Sequence, residues 1–146
     1  MNRAAFFASL RQRASGVFGT SLSQAQVIGT EAILDSCIRN RVADAHHVAN
    51  ILAQCYHETG GRMSPVRETF ATSDAQAIAR LDTAFARGQL TWVRTPYWRP
   101  DSDGRSWLGR GFIQLTHKAN YAKMGERLKV NLAGNPSLAM DPKISA

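Results

Sequence analysis

The segment DAHHVANILAQCYHETGG, residues 44–61, carries the strongest structural signal in this chain. Asp44 is a favourable N-cap residue, and the pair Gly60-Gly61 ends helices well because glycine tolerates left-handed backbone. Between them runs an apolar stripe at helical spacing, made of Val48, Ile51, Leu52 and Cys55. The segment therefore predicts an amphipathic helix with Glu58 at its C-terminal end.

Further helices are predicted from capping patterns and apolar spacing. They cover residues 3–13, residues 24–39 behind the capping box of Ser23 and Gln26, residues 74–87 behind the box of Ser73 and Gln76, and residues 117–129 behind Thr116. A short extended piece from Ile113 to Leu115 would place Gln114 and Thr116 on one face. We therefore predict a mostly α fold, in which residues 1–22 form an N-terminal helix and connection and residues 23–146 form the main domain.

The aromatic stretch between residues 91 and 111 is predicted to be an ordered loop, because prolines and glycines interrupt it repeatedly. A loop this long and this aromatic is rarely a mere linker. Trp107 leads into a glycine-rich turn and is expected to pack against the core. Two roles stay open for Trp98, which are stacking on a ligand and pinning the loop to the core.

The composition excludes several functional classes. The 18 Lys and Arg against 11 Asp and Glu give a net charge of +7, which favours polyanionic partners. The basic residues are scattered and no helix-turn-helix, zinc-finger or aromatic RNA-binding pattern accompanies them, so nucleic acid is not the expected partner. Cys37 and Cys55 are expected to be free, buried thiols, and no metal site or other cofactor is implied.

The N-terminal segment predicts neither export nor a membrane span. Its apolar stretch from Ala4 to Leu10 is short, and no small-residue cleavage site follows it. No run approaches the roughly 20 apolar residues that cross a bilayer. We therefore expect a monomer without stable membrane insertion, which accumulates in the cytoplasm and reaches any external substrate only after release.

Two glutamates are the candidates for acid–base chemistry. Glu58 ends an apolar helix directly before Gly-Gly, where partial burial and the negative end of the helix dipole would both favour its protonated form. A carboxyl held in that form suits general acid catalysis. Glu68 follows Arg67, whose charge is expected to keep Glu68 ionised, so the two carboxyls could divide the roles of acid and base. A simple surface ion pair between Arg67 and Glu68 is the alternative.

The segment WLGRGFIQLTHKANY, residues 107–121, supplies neutral polar groups beside a glycine-rich turn. Its two Gly residues after Leu108 allow backbone to approach a ligand closely. Gln114, Thr116 and Asn120 carry amide and hydroxyl groups of the kind that bind sugar hydroxyls and acetamido groups. The alternative is an ordinary glycine-rich turn that leads into a capped helix.

Three motifs in this order resemble those of glycoside hydrolase family 19, which contains plant-type chitinases and phage or bacterial endolysins. They are HETGG at residues 57–61, RE at residues 67–68 and GRGFIQLTHKANY at residues 109–121. The resemblance covers about residues 25–142 and is closest to the short endolysin-like members. It implies a two-lobed, lysozyme-like fold with a central substrate cleft.

The resemblance also implies a role for each matching residue. Glu58 matches the general acid, Glu68 the general base, and Thr116 the hydroxyl residue that holds the attacking water. The matching substrate-binding candidates are Gln114, Asn120, Tyr121 on the cleft floor, and Arg110 in support of the carboxylates. We add His57 and Trp98 to these candidates, while His57 and His117 are also expected to make hydrogen bonds that fix their neighbours.

The implied activity is endo-acting, inverting hydrolysis of β-1,4 bonds in an N-acetylhexosamine polymer. Inversion requires the carboxyls of Glu58 and Glu68 to lie roughly 6.5–9.5 Å apart, with a water between base and sugar. The positive charge suits anionic peptidoglycan better than neutral chitin, so a peptidoglycan-degrading endolysin is the first expectation and a chitinase the alternative. An alternative of another class is a non-catalytic module that binds cell-wall glycan. The chain stops at Ala146, before the helix with which the family normally continues, so the domain is expected to be short at its C-terminus.

Overall fold

The structure is a computed structural model that describes residues 2–146. The described residues form the α-helices α1 (Arg3–Leu10), α2 (Gln24–Arg39), α3 (Ala45–Glu58), α4 (Asp74–Ala86), α5 (Lys118–Leu128) and α6 (Pro142–Ser145). The strands β1 (Val66–Arg67) and β2 (Arg110–Gly111) pair antiparallel, and short 3-10 helices lie at Arg13–Ser15, Glu68–Phe70 and Pro136–Met140. The predicted mostly α, lysozyme-like fold class is confirmed. Within residues 2–146, no helix is long and apolar enough to cross a membrane.

The chain divides into two compact units between Ser64 and Pro65. The first unit contains α1 to α3, and the second contains the strand pair and α4 to α6. The boundary predicted after residue 22 lies inside the first unit and stays a prediction, as does a central cleft.

In the first unit, local capping places α2 and α3 where the sequence predicts them. Ser23 and Gln26 form a complete capping box at the start of α2, and the side chain of Asp44 accepts from the backbone of α3. The side chain of Gln26 also donates to the carbonyl of Gly61 at 2.9 Å, which links the start of α2 to the turn after α3. Cys37 and Cys55 are buried and free, as predicted.

The first helix is shorter than predicted. α1 ends at Leu10 rather than at Arg13, because the hydroxyl of Ser15 donates to the Leu10 carbonyl and Gln12 adopts an extended backbone. A short 3-10 helix follows instead of the last predicted turn. The Ser15 hydroxyl thus satisfies one carbonyl that a longer helix would have satisfied.

In the second unit, β1 and β2 pair with Val66 opposite Gly111 and Arg67 opposite Arg110. Ser73 caps α4 as predicted. Two apolar clusters form the core of this unit: one contains Ala71, Ala77, Leu81, Trp98 and Leu108, and the other contains Trp107, Tyr121, Leu132 and Ala139. The core of this unit is therefore built from the chain between the two strands and the chain after β2.

The segment before α5 differs from the prediction. Residues 112–114 form a turn, with Gln114 at a φ of 55°, and this turn returns Leu115 to pair with Arg110. The hydroxyl of Thr116 donates to the carbonyl of Gln114 at 2.6 Å, so it does not cap α5, which begins only at Lys118. A predicted extended piece at Ile113–Leu115 and a Thr116 cap are both wrong, because a local turn takes the hydroxyl.

Candidate functional site

Glu58 is the last residue of α3, as predicted, but its side chain is exposed. It lies one turn beyond Cys55, the last buried residue of the helix. Burial, followed by the neighbouring thiol of Cys37 and the charge of Glu58, raises the pKa of Cys55 to about 11, because each of them disfavours a thiolate at this position. The sequence predicts partial burial of Glu58, but neither α3 nor the turn after it covers this side chain.

The turn after Glu58 is fixed by Thr59, a residue that the sequence did not single out. Thr59 is fully buried, and its hydroxyl donates to the carbonyl of Cys55 at 2.7 Å. The same oxygen accepts from the backbone N–H of Met63 at 3.0 Å. A buried hydroxyl with both donor and acceptor satisfied holds the chain rigidly at the point where Glu58 leaves the helix.

Glu68 lies in the second unit and is held through both of its carboxylate oxygens. Oε1 accepts from the hydroxyl of Tyr97 at 2.6 Å, and Oε2 accepts from the backbone N–H of Gly109 at 2.8 Å. The backbone N–H of Glu68 also donates to the carbonyl of Gly109 at 2.7 Å. One carboxylate therefore has a fixed orientation beside the glycine-rich segment, while each oxygen keeps a lone pair for a further donor.

Tyr97 is the functional residue that sequence reasoning missed. Burial, together with its hydrogen bond to Glu68 and the charge of that carboxylate, raises the pKa of Tyr97. The phenol therefore stays protonated and remains the donor. Its ring packs edge-on against His117, with ring centroids 4.4 Å apart, and against Trp98. An aromatic residue in a proline-rich loop gives no periodic signal, so only the three-dimensional contact reveals this role.

Arg67 does not pair with Glu68, contrary to prediction. Adjacent residues on extended backbone point to opposite sides, and Arg67 sends its Nε to Asp74 Oδ1 at 2.6 Å. Neither an Arg67–Glu68 ion pair nor an Arg67 charge that keeps Glu68 ionised is supported by these contacts.

Arg110 joins the same aspartate from the buried side. It is only 1% exposed, and its guanidinium donates to Asp74 Oδ2 at 2.6 Å and to the hydroxyl of Tyr121 at 3.0 Å. Although burial acts in the opposite direction, the hydrogen bonds from Arg110 and Arg67 lower the pKa of Asp74 below its usual range. Asp74 therefore stays ionised and balances a buried cation.

Tyr121 and Arg110 are thus parts of the core rather than substrate contacts. Tyr121 is fully buried, and its hydroxyl donates to the carbonyl of Leu108 at 2.8 Å. Arg110 supports Asp74, not the glutamates. Direct substrate binding by either residue, as expected from the sequence, is contradicted by this burial.

Gln114 and Thr116 converge at Gly109, next to Glu68. A Cβ on Gly109 would lie 2.7 Å from Gln114 Oε1 and 3.3 Å from Thr116 Oγ1, so glycine leaves the space that both side chains use. The amide of Gln114 donates to the carbonyl of Val66 at 3.0 Å. The two residues share a site, although a turn rather than an extended strand brings them there.

Asn120 continues this polar group from the first turn of α5. Its side-chain amide donates to the carbonyl of Thr116 at 2.8 Å, which leaves its side-chain oxygen free to accept from a ligand. The side chain is exposed. Substrate binding by Gln114 and Asn120 stays a prediction, as does the role of His57, which is exposed on α3 beside Glu58.

Trp98 and Trp107 are both buried, which differs from the ligand-stacking role that was one of two predicted for Trp98. Trp98 is fully buried, packs edge-on against Phe85, and donates its indole N–H to Asp82 at 2.9 Å. It pins the loop to the core, so stacking on a sugar is contradicted. Trp107 is 5% exposed and packs against Tyr121, which confirms its predicted core role. Within residues 2–146, no group of three or more His, Cys, Asp and Glu side chains is arranged to hold a metal ion.

The comparisons with known proteins agree on one family. The family model described as chitinase class I matches residues 26–146. An endochitinase of Carica papaya is 44% identical over 45 residues, which are 31% of this chain and 18% of that protein. Endochitinase 4 of Solanum tuberosum is 47% identical over 47 residues, or 32% of this chain and 16% of that protein. An endochitinase of Pisum sativum is 32% identical over 99 residues, or 67% of this chain and 29% of that protein.

These matches span less than a third of the relatives' own lengths. No solved structure matches the chain.

Proposed function

We propose that this chain, which belongs to the chitinase class I family, glycoside hydrolase family 19, hydrolyses β-1,4 bonds of an N-acetylglucosamine polymer with inversion at the anomeric carbon. Chitin is the proposed substrate. Glu58 is the proposed general acid and Glu68 the proposed general base, as the family motifs imply.

The observation that supports this function best is the fixed carboxylate of Glu68. A general base must present an oxygen at one defined position, since misplacement of a catalytic group is costly. The Tyr97 hydroxyl and the Gly109 N–H hold Glu68 from two sides, at 2.6 and 2.8 Å. No cation contacts this carboxylate among the ion pairs of the described residues, so the oxygens remain open to a water.

Thr116 gives that water its second partner. Its hydroxyl hydrogen is already donated to the Gln114 carbonyl at 2.6 Å, so Thr116 Oγ1 offers only lone pairs to the site. A water between the two residues would donate one hydrogen to Glu68 and the other to Thr116, and its own lone pair would then face the sugar. When the water oxygen attacks the anomeric carbon, Glu68 takes a proton and Glu58 gives one to the leaving oxygen.

Chitin replaces peptidoglycan as the first choice of substrate. The net charge of +7 favours an anionic substrate such as peptidoglycan. Charge, however, governs the rate of encounter with a substrate rather than the bond that is cut. The curated relatives are named endochitinases, which supports the alternative over the endolysin expectation. The positive charge keeps peptidoglycan as the second substrate to test.

The test is release of reducing sugar from chitin oligomers and, in parallel, from purified peptidoglycan. Release from chitin oligomers, with the α-anomer appearing first by NMR, is the expected result. Release from peptidoglycan alone would reverse the choice of substrate. A β-anomer as first product would contradict the inverting roles of Glu58 and Glu68, and absence of release from both polymers would contradict hydrolysis.

Thr116→Val should lower kcat about 10-fold, because it removes one hydrogen-bond acceptor for the attacking water, and such a bond contributes about 0.5–1.5 kcal/mol. Thr116→Ser is the matched control, since it keeps the oxygen and should stay within about threefold of wild type. Steady-state kinetics on a chitin oligomer measures both. A loss in Thr116→Ser as large as that in Thr116→Val would contradict this role, because the serine keeps the hydroxyl oxygen.

Tyr97→Phe should lower kcat about 10- to 100-fold with little change in KM, because a hydrogen bond to a charged group contributes about 1.5–3 kcal/mol and here it orients Glu68. Tyr56→Phe removes another tyrosine hydroxyl bond, to the carbonyl of Val17 at 2.9 Å, and should leave kcat unchanged. Steady-state kinetics again gives the comparison. A KM effect without a kcat effect would mean that Tyr97 serves binding rather than the base.

A further inference from the structure

Trp92 is a large aromatic side chain that the fold does not use. It is 74% exposed in the loop between α4 and β2, and it makes no hydrogen bond or ring contact with other residues in the range 2–146. Trp98 and Trp107 of the same loop are both buried. An exposed indole next to a polar site is typical of ligand contact, since indole combines a broad apolar face with a polar N–H.

A surface pocket of about 540 Å³ lies beside this indole. Its volume falls within the range of about 300–1,000 Å³ that is common for small-molecule sites. The lining residues are Trp92, Val93 and five residues whose side chains can form hydrogen bonds, namely Arg94, Thr95, Tyr97, Thr116 and His117. Such a combination suits a sugar ring, which presents apolar C–H groups on one face and hydroxyl or acetamido groups around its edge.

Two lining residues connect the pocket to Glu68. Tyr97 donates its hydroxyl to Glu68 Oε1 at 2.6 Å. Thr116 Oγ1 would lie 3.3 Å from a Cβ on Gly109, whose N–H donates to the other oxygen of Glu68. A ring bound in this pocket is therefore adjacent to the carboxylate that is proposed to activate water.

We propose that Trp92 stacks on one N-acetylhexosamine ring of the bound polymer and forms, with Arg94 and Thr95, a sugar subsite next to Glu68. This subsite rests on the proposed glycan hydrolysis for the identity of its ligand. It gives Trp92 the stacking role that the sequence had left open for Trp98.

Binding is measured without turnover in a Glu58→Gln background. The ligand is a hexamer of N-acetylglucosamine or, if the hydrolysis assay selects peptidoglycan, soluble peptidoglycan strands. Calorimetry should show that Trp92→Ala weakens binding about 10-fold, as expected for loss of an aromatic contact, while Trp92→Phe stays within about threefold. Ile113→Ala is the matched control, because Ile113 is also an exposed apolar side chain of this unit but does not line the pocket. It should bind like the background protein.

Fluorescence adds a direct readout, because Trp92 is the only one of the three tryptophans that is exposed in the described chain. Saturating oligomer should protect it from quenching by acrylamide. Unchanged quenching at saturation, or Trp92→Ala binding within twofold of the background, would overturn the subsite.

The two proposals fail in distinguishable ways. Protection of Trp92 by an oligomer that the wild-type protein does not cut would keep the subsite and remove the hydrolytic function. Hydrolysis by a protein whose Trp92 stays unprotected would remove the subsite alone. No binding of either glycan in calorimetry would overturn the subsite as well.

Discussion

Glu58→Gln should lower kcat about 100- to 10,000-fold, the range over which a positioned general acid contributes. Glutamine keeps the shape of the side chain and its hydrogen-bonding capacity but has no proton to give to the leaving oxygen. KM should change little, since the amide still occupies the space of the acid. Initial rates on chitin oligomers, with enzyme concentration raised to detect the residual activity, measure the effect.

The exposure of Glu58 makes this variant a clean test. An exposed side chain at a helix end can be changed within about 0.5 kcal/mol of stability, so a large rate loss cannot be assigned to unfolding. Glu126→Gln makes the same change of charge on an exposed residue of α5 and should leave kcat unaltered. If Glu58→Gln retains more than a tenth of the wild-type rate, Glu58 is not the acid.

The same variant separates a hydrolase from a module that only binds cell-wall glycan. In a hydrolase, Glu58→Gln loses turnover and keeps glycan binding. In a binding module, wild type and variant bind alike and neither releases reducing sugar. The motif around Glu58 and the fixed carboxylate of Glu68 favour the hydrolase, because binding alone requires neither.

The helix boundaries were predictable wherever the signal is local. The capping box of Ser23 and Gln26 and the N-cap Asp44 lie within three residues of the N–H groups that they satisfy, so the starts of α2 and α3 follow from the sequence. The helix after Thr116 was placed too early for the opposite reason. The Thr116 hydroxyl donates to the carbonyl of Gln114 instead of capping the helix. This contact depends on a turn in which Gln114 has a positive φ, and no local sequence pattern predicts a positive φ at a glutamine.

The two glutamates of the candidate site could be predicted from the sequence, whereas the residues that hold Glu68 in place could not. Glu58 and Glu68 stand in motifs, whereas the contacts that hold Glu68 join residues 29 and 41 positions away. The larger error in the prediction concerned which side chains are buried. Arg110 and Trp98 looked suited to a ligand by residue type, yet both are buried and each donates to an aspartate, Asp74 for Arg110 and Asp82 for Trp98. Residue type shows which contacts a side chain can make, while long-range packing decides whether that side chain is buried or exposed to solvent.

Asp74→Asn should lower the free energy of unfolding by about 3 kcal/mol, the lower end of the range for removing one partner of a buried ion pair. The buried guanidinium of Arg110 would lose the carboxylate of its ion pair, and Arg67 would lose its carboxylate partner as well. The lower end applies because the Asp74 side chain is 33% exposed, so water screens part of the interaction. Urea denaturation followed by circular dichroism measures the change. Asp103→Asn breaks the exposed ion pair with Arg105 and should cost less than about 1 kcal/mol.

The pH dependence of stability gives an independent check on Asp74. Its folded-state pKa is lowered, so its contribution to stability is complete above the ordinary carboxyl value and is lost as the pH falls through the lowered pKa. Wild type should therefore lose stability steeply below about pH 4, where the unfolded carboxyl begins to bind protons before the folded one does. Asp74→Asn should lose less over the same interval, so the difference between the two proteins should shrink as the pH falls. A constant difference from pH 7 to pH 2 would mean that the aspartate acts through shape and hydrogen bonding, and that its charge does not balance Arg110.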